Sequence, residues 1–153
     1  MLTFLKRLVK KPFTPLNLIS ISRQRLIGNY ENLSRINPEI KVAPVLKSNG
    51  YSHGIRLVGE ILDSVGAPFL CVDSLYEAFQ LKSKSRIKTP ILIMGYIHPK
   101  SLSVKKLPFQ FAVYDLEHAQ TLNAHQKGSK VHIFVDTGMH REGVSMKELP
   151  EFL

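Results

Sequence analysis

Lys47 is the residue in this sequence best placed to do covalent chemistry. It follows an apolar run, Val42 to Leu46, and precedes a stretch rich in Ser, Asn and Gly over residues 48–54. This order predicts a strand that delivers a primary amine to the end of a sheet. An amine held against apolar neighbours is partly desolvated, which favours its neutral, imine-forming state. Tyr51, four residues further on, can place a hydroxyl group at the same turn.

A second segment, residues 135–144, repeats this arrangement with a different cation. Val135 ends an apolar strand pattern, residues 136–138 form a tight turn, and Arg141 follows. We expect the turn residues to aim Arg141, and Asp136 to be able to orient it by a salt bridge. His53, in the first segment, has no evident chemistry, and we expect it to make a structural hydrogen bond.

Together the two segments resemble the N-terminal part of alanine racemase, a pyridoxal-phosphate (PLP) enzyme built on a TIM-type barrel. Residues 47–54 are similar to that family's motif of lysine, small, Asn, small, Tyr, small, His, Gly. Residues 136–143 are similar to its Asp-Thr-Gly-Met-x-Arg-x-Gly motif. Residues 66–72 and 74–78 extend the resemblance, which runs from about residue 17 to residue 153. Two ordered motifs at a compatible separation make this a strong signal.

The resemblance implies roles for three residues. Lys47 would form a Schiff base with PLP and take or return the substrate α-proton on one face. Tyr51 would donate a hydrogen bond to the cofactor phosphate. Arg141 would contact the cofactor's phenolic oxygen and the substrate carboxylate, which a guanidinium can bind with two parallel hydrogen bonds. One position departs from the family pattern, because Phe134 stands where a lysine that helps to position the arginine is common.

The function implied by the resemblance is interconversion of L-alanine and D-alanine by a cytoplasmic homodimer, with D-alanine serving peptidoglycan. A second catalytic base, a tyrosine, would come from the partner subunit's C-terminal β-domain. Two alternatives stay open: a PLP-binding carrier barrel without turnover, and another PLP barrel enzyme such as a serine or lysine racemase or a decarboxylase. We interpret the chain as a truncated family member. We expect it, alone, to be inactive and to be poorly soluble or oligomeric.

Composition excludes several other classes of protein. The chain has 153 residues and 44% hydrophobic residues, which suit one globular domain, and no apolar stretch is long enough to cross a bilayer. The net charge of +9 is spread along the chain. Its densest run outside the N-terminus, residues 82–88, lacks interleaved aromatic residues, so we expect a solvated helix end rather than a nucleic-acid site. Cys71 is predicted to be a core residue in a reducing compartment, and no metal site is expected.

The hydrophobic pattern predicts an α/β fold, a partial TIM (β/α)8 barrel of the PLP-binding type with about five of the eight βα units. We expect a basic N-terminal arm over residues 1–15 and the barrel portion over residues 16–153, with the rest of the barrel and the C-terminal β-domain absent. Predicted strands cover residues 16–20, 41–46, 69–72, 90–94, 110–114 and 131–135. Predicted helices follow an N-cap at Ser22 and cover residues 55–65, 74–82 and 116–126, with another beginning at residue 149.

Overall fold

The computed structural model describes residues 16–83 and 87–153. The predicted N-terminal arm, together with Lys84 and Arg86 of the basic run, lies outside these residues. Within them the helices are α1 (Arg23–Ile36), α2 (Lys47–Tyr51), α3 (Ile55–Asp63), α4 (Leu75–Lys82), α5 (Pro99–Leu102), α6 (Leu116–His125) and α7 (Leu149–Phe152). The strands are β1 (Leu70–Val72), β2 (Ile91–Ile93), β3 (Gln110–Val113), β4 (Val131–Ile133), β5 (Val135–Asp136) and β6 (Val144–Ser145).

The main sheet has the spatial order β1-β2-β3-β4, and every neighbouring pair is parallel. Spatial order equals chain order, and a helix connects each strand to the next. This is how successive βα units of a TIM-type barrel are arranged. The prediction of a partial (β/α) barrel is therefore confirmed.

The two faces of the sheet bury different sets of side chains because successive residues of a strand point to opposite sides. One face forms the main core with the helices, and its strand residues are Leu70, Val72, Ile91, Ile93, Phe111 and Val113. The opposite face carries a smaller buried cluster of Cys71, Leu92 and Ala112, with Met94 and Phe134 packed against it. In a barrel this second face is the interior.

The strand predicted at residues 41–46 is shorter in the structure than expected. It makes one parallel bridge, between Val45 and Cys71. The Cys71 N–H donates to the Pro44 carbonyl at 2.8 Å, and the Leu46 N–H donates to the Cys71 carbonyl at 2.8 Å. Pro44 has no N–H to extend the ladder. We call residues 42–46 the edge segment.

The strand predicted at residues 16–20 was wrong. Leu16 and Leu18 are 101% and 81% exposed, and no strand forms there. An isolated extended segment has no ladder to satisfy its backbone groups, and among the described residues this one makes no backbone pairing with a sheet. The apolar pattern alone did not reveal that a pairing edge was missing.

The strand predicted at residues 131–135 divides at Phe134. The Phe134 N–H donates to the Val113 carbonyl at 2.7 Å, whereas its own carbonyl accepts from the Val144 N–H at 2.8 Å. Beyond this residue the chain leaves β3, and Val135 pairs with Val144 in the parallel β5-β6 pair. The C-terminal end of the predicted strand therefore has β6 beside it instead of β3.

The predicted helices agree with the structure, and two have the serine caps that their sequences suggest. Ser22 Oγ accepts from the Arg25 N–H at 3.3 Å. Ser74 Oγ accepts from the Glu77 N–H at 3.3 Å. Helix α5 was not predicted, because four residues are too few to show helical periodicity. Over residues 16–83 and 87–153, no helix is both long and apolar enough to cross a membrane.

Candidate active site

The C-terminal ends of the parallel strands lie along one edge of the sheet, which we call the carboxyl edge. Active sites of (β/α) barrels form at this edge because the loops that follow the strands converge there. Lys47 follows the edge segment directly, and Arg141 lies in the loop between β5 and β6. We call residues 47–54 the lysine turn and residues 136–143 the arginine loop.

The lysine turn is one turn of left-handed helix. Five consecutive residues have positive φ angles, namely Ser48 (54°), Asn49 (56°), Gly50 (63°), Tyr51 (52°) and Ser52 (67°). The Gly50 N–H donates to the Leu46 carbonyl at 2.8 Å, and the Ser52 N–H donates to the Ser48 carbonyl at 3.0 Å. For residues other than glycine this conformation costs roughly 1–2 kcal/mol each. Contacts from elsewhere in the fold must therefore stabilise the turn.

Asn49 and His53 stabilise the end of the turn. Asn49 Oδ1 accepts from the Ile55 N–H at 3.0 Å and so caps the start of α3. His53 Nδ1 lies 3.0 Å from the Gly50 carbonyl oxygen, in agreement with the structural hydrogen bond expected for this histidine. Asn49, Gly50 and Gly54 are of residue types that tolerate positive φ, and all three have it.

Glu77 stabilises the beginning of the turn, and the sequence analysis missed it. Its Oε1 accepts from the Ser48 N–H at 2.6 Å, and its Oε2 accepts from the Asp73 N–H at 2.9 Å. A signal was present, because Ser74 and Glu77 have the spacing of a capping box. That motif predicts that the Ser74 N–H donates to the Glu77 carboxylate. In the structure the carboxylate instead accepts from the N–H groups of Asp73 and Ser48.

Lys47 is half-buried, and Tyr51, on the same turn, is 55% exposed. The amine and the phenol thus lie on one short backbone segment, four residues apart. On the interior face of the sheet, Cys71 is a buried free thiol, as predicted. Burial raises the pKa of Cys71 to about 11, so the thiol is protonated at neutral pH.

The arginine loop is organised around the Asp136 carboxylate. Its Oδ1 accepts three consecutive backbone N–H groups, those of Gly138, Met139 and His140, at 2.9, 2.9 and 3.0 Å. These bonds, above all the one from Gly138, lower the pKa of Asp136 below its ordinary value. Asp136 Oδ2 also lies 3.2 Å from His140 Nδ1. The carboxylate therefore shapes the turn, as expected.

The salt bridge predicted between Asp136 and Arg141 is not the one in the structure. Arg141 pairs instead with the adjacent Glu142, at 3.3 Å, and its side chain is 61% exposed. Asp136 is occupied by the backbone of its own loop, so its lone pairs are not directed at the guanidinium. The loop thus presents Arg141 toward solvent.

Gly143 closes the arginine loop against Phe134. Its φ angle is +114°, and a Cβ atom there would lie 2.8 Å from the Phe134 carbonyl oxygen. That carbonyl accepts the Val144 N–H, so the loop ends where the chain changes strand partners. Only glycine fits this close approach without a shift of the backbone.

Lys47 and Arg141 share the carboxyl edge but are not neighbours in the described chain. The edge segment and β4 are separated by β1, β2 and β3. At the usual spacing of strands, four intervals correspond to about 19 Å along the sheet. Curvature into a barrel would turn the two cations toward each other across its mouth.

An aromatic pair, the half-buried Tyr114 and the buried His118, lies beside the same edge, where β3 ends. The rings of Tyr114 and His118 have centroids 4.6 Å apart. Burial raises the pKa of Tyr114 to about 12 and lowers the pKa of His118, the latter against an opposing effect of Asp115. Both side chains are therefore neutral at pH 7, and we interpret them as packing groups.

Comparison with known proteins identifies the class to which this barrel portion and its two cationic turns belong. The family described as alanine racemase, N-terminal domain, matches residues 21–153. The chain is a member of that family.

Individual relatives agree with this assignment. Alanine racemase 1 of Caldanaerobacter subterraneus subsp. tengcongensis is 36% identical over 131 residues, which are 82% of this chain and 34% of that protein. The serine/alanine racemase of Enterococcus gallinarum is 32% identical over 126 residues, 81% of this chain and 18% of that protein. The chain therefore spans a minor part of the length of these relatives.

Solved structures of the family have the same fold. The alanine racemase from Bacillus anthracis with bound L-Ala-P superposes with a TM-score of 0.76 at 28% identity, covering 93% of this chain and 38% of that chain. An alanine racemase from Clostridium difficile 630 gives a TM-score of 0.71 at 28% identity, covering 84% and 36%.

The donor set at the carboxyl edge fits a PLP cofactor chemically. An aldehyde requires a primary amine, which Lys47 provides. A phosphate and a carboxylate require hydrogen-bond donors, and the exposed Tyr51 phenol and Arg141 guanidinium have donors available.

Proposed function

We propose that this chain is the portion of an alanine racemase that holds the PLP cofactor covalently through Lys47. The observation that carries the proposal is the position of Lys47 at the carboxyl edge, on a strained turn fixed by Glu77 and Asn49. A strained backbone that the surrounding fold maintains is typical of functional sites. Membership of the racemase family supports the same assignment.

Each of the three residues has a defined task in the proposed reaction. Bound PLP supplies an electron sink for the electrons released when the substrate Cα–H bond breaks. Lys47 would hold the cofactor through Nζ. Once the substrate amine has replaced it there, the released Nζ would take or return the α-proton on one face of the substrate. Tyr51 donates a hydrogen bond to the cofactor phosphate. Arg141 holds the cofactor's phenolic oxygen and the substrate carboxylate.

The complete enzyme is proposed to be a cytoplasmic homodimer that supplies D-alanine for peptidoglycan. A tyrosine of the partner subunit would then act as the base on the opposite face. The described chain carries no group assigned to that task, so the 153 residues alone are proposed to lack racemase activity. The Arg141 motif argues against a carrier barrel without turnover.

A broader substrate range is the second candidate. Two relatives bear the names serine/alanine racemase and amino-acid racemase, and they are 32% and 35% identical to this chain. Because these identities are similar to that of alanine racemase 1, we propose serine as a second substrate beside alanine. Initial rates with both amino acids on the full-length protein would decide.

Reductive labelling tests the attachment site. The full-length protein that contains this chain is incubated with one equivalent of PLP and reduced with borohydride, and peptide mapping then locates the label. We expect the label on Lys47, its loss in Lys47→Arg, and no change in Lys88→Arg, which alters an exposed lysine in the same way. Label spread over the exposed lysines of the wild-type chain would overturn the proposal.

A further inference from the structure

We infer that Glu77 is a positioning residue for Lys47, acting through the backbone of the lysine turn. The inference rests on the proposed function, since it concerns the amine that the proposal assigns to the cofactor. Glu77 does not itself meet the cofactor. Its carboxylate fixes the amide that directly follows Lys47, and through it the direction in which the lysine leaves the sheet.

The geometry of the carboxylate supports this role. One oxygen accepts the Ser48 N–H at 2.6 Å and the other accepts the Asp73 N–H at 2.9 Å. Ser48 belongs to the lysine turn, whereas Asp73 follows β1. A single side chain thus joins the ends of two neighbouring strand units at the carboxyl edge. Because the two acceptor oxygens share the negative charge of one carboxylate, each bond is stronger than a bond between neutral groups.

The Ser48 amide needs a partner of this kind. It lies in the first turn of a short helix, where backbone N–H groups have no acceptor within the helix itself. Ser48 also has a φ angle of 54°, which serine does not favour. Without Glu77 the amide would lose its acceptor, and the backbone could relax toward a right-handed or extended conformation. Either change would redirect Lys47.

Helix α4 gives Glu77 a rigid base. Its neighbours Ala78 and Leu81 are completely buried in the main core, so the helix cannot shift without disturbing the packing. Glu77 lies in the first turn of α4, where the helix dipole favours a negative charge. The carboxylate is therefore held in position by the core as well as by its two hydrogen bonds.

Three variants separate positioning from charge. Glu77→Gln keeps one acceptor oxygen but turns an NH₂ group toward one of the two amides. Glu77→Asp keeps the charge but is one methylene shorter, so it cannot span both amides. Glu60→Gln is the control, because Glu60 is exposed on α3 and its carboxylate makes no hydrogen bond within residues 16–83 and 87–153.

The readout is the rate of PLP labelling at Lys47 relative to the exposed lysines of the same molecule. The Lys47 amine condenses with the aldehyde and releases water, and borohydride then reduces the C=N bond to a stable C–N bond. We expect Glu77→Gln and Glu77→Asp each to lower the Lys47 rate about tenfold, as the loss of one charge-assisted hydrogen bond predicts. The exposed lysines and Glu60→Gln should be unchanged.

Amide hydrogen exchange supplies a second readout that does not depend on the cofactor. In both Glu77 variants the Ser48 amide should exchange faster, while the Leu46 amide, bonded to Cys71, should keep its protection. Equal loss at both amides would indicate general unfolding and contradict a local role.

The two proposals fail in different ways. Wild-type label spread over exposed lysines would reject Lys47 as the attachment site. Wild-type label on Lys47 with unchanged rates in both Glu77 variants would reject only the role of Glu77. A normal rate in Glu77→Asp with a slow rate in Glu77→Gln would show that charge, and not position, is what Glu77 contributes.

Discussion

The lysine turn and the arginine loop both follow a strand and both present a cation, but they are stabilised in opposite ways. The lysine turn depends on a distant part of the chain, because Glu77 lies 29 residues beyond Ser48. The arginine loop depends on itself, because Asp136 binds amides two to four residues ahead. One turn is built into the sheet, whereas the other is a local structure attached at Phe134.

The difference corresponds to what the two cations are proposed to do. A lysine bound covalently to a cofactor must keep one direction throughout a reaction, so contacts from rigid neighbouring elements are useful. An arginine that receives a carboxylate can remain exposed until its ligand arrives. The chain thus fixes the geometry of the lysine more firmly than that of the arginine.

Replacing glycines by alanine should give the largest difference between the two regions in the free energy of unfolding. We expect Gly143→Ala to lower the free energy of unfolding by about 2–4 kcal/mol, because its Cβ would meet the Phe134 carbonyl at 2.8 Å. Gly50→Ala should cost only about 1 kcal/mol, since its nearest contact is 3.4 Å away. Gly138→Ala is the control, because it has a similar φ of +124° and open space around the added atom. Urea denaturation measures all three.

If Gly143→Ala and Gly138→Ala were equally destabilising, the contact with Phe134 would have no energetic importance. The arginine loop would then be attached less tightly than the structure indicates.

Replacing Arg141 by lysine should keep the positive charge but weaken the proposed contact with the substrate carboxylate, without unfolding the protein. In a full-length racemase that contains this chain, we expect Arg141→Lys to retain PLP but to lower kcat/KM by about tenfold or more, since lysine lacks the bidentate fork. The measurement is racemisation of alanine, with PLP content read from the absorption spectrum. Arg35→Lys is a matched control, because Arg35 also pairs with a glutamate at 3.3 Å on the surface. A kcat/KM close to wild type would contradict the role of Arg141.

The smallest effect should be a pH transition confined to the arginine loop. The pKa of Asp136 is lowered in the folded state from its ordinary value of 3.8, so the carboxylate stabilises the loop above that value. This stabilisation is lost as the pH falls through the lowered pKa, when the folded carboxylate takes up a proton. The amide chemical shifts of Gly138, Met139 and His140 should therefore change together below pH 3.8 and should not do so in Asp136→Asn. Independent transitions of the three amides would exclude a shared acceptor.

The alternation of strands and helices could be predicted because each element has its own local hydrophobic periodicity. Helices capped by Ser22 and Ser74, and strands with continuous apolar residues, appear where the pattern indicates. The prediction of a strand at residues 16–20 was wrong because apolar content does not reveal whether a neighbouring strand is available for pairing. The division of the strand at Phe134 was not predicted for a related reason, since a change of partner strand leaves no signal in the local sequence.

The sequence predicted which residues form the candidate site but not the contacts that hold them in place. Lys47 and Arg141 were located by their motifs, and Asn49 and Gly50 by their tolerance of positive φ. Ser48 and Tyr51 do not favour that conformation, so the left-handed turn could not be derived from propensity. Its cause is tertiary, because Glu77 reaches Ser48 from the next βα unit.

The left-handed turn also has a consequence for the order in which this protein folds. Its backbone is unfavourable by roughly 1–2 kcal/mol for each residue other than glycine, so an isolated segment would not populate it. It becomes stable only after β1 has paired with the edge segment and α4 has docked with Glu77 in place. A contact between distant parts of the chain must therefore precede the local structure. We expect the segment that carries the reactive amine to be among the last to reach its native conformation, so native helices can form before Lys47 is correctly directed.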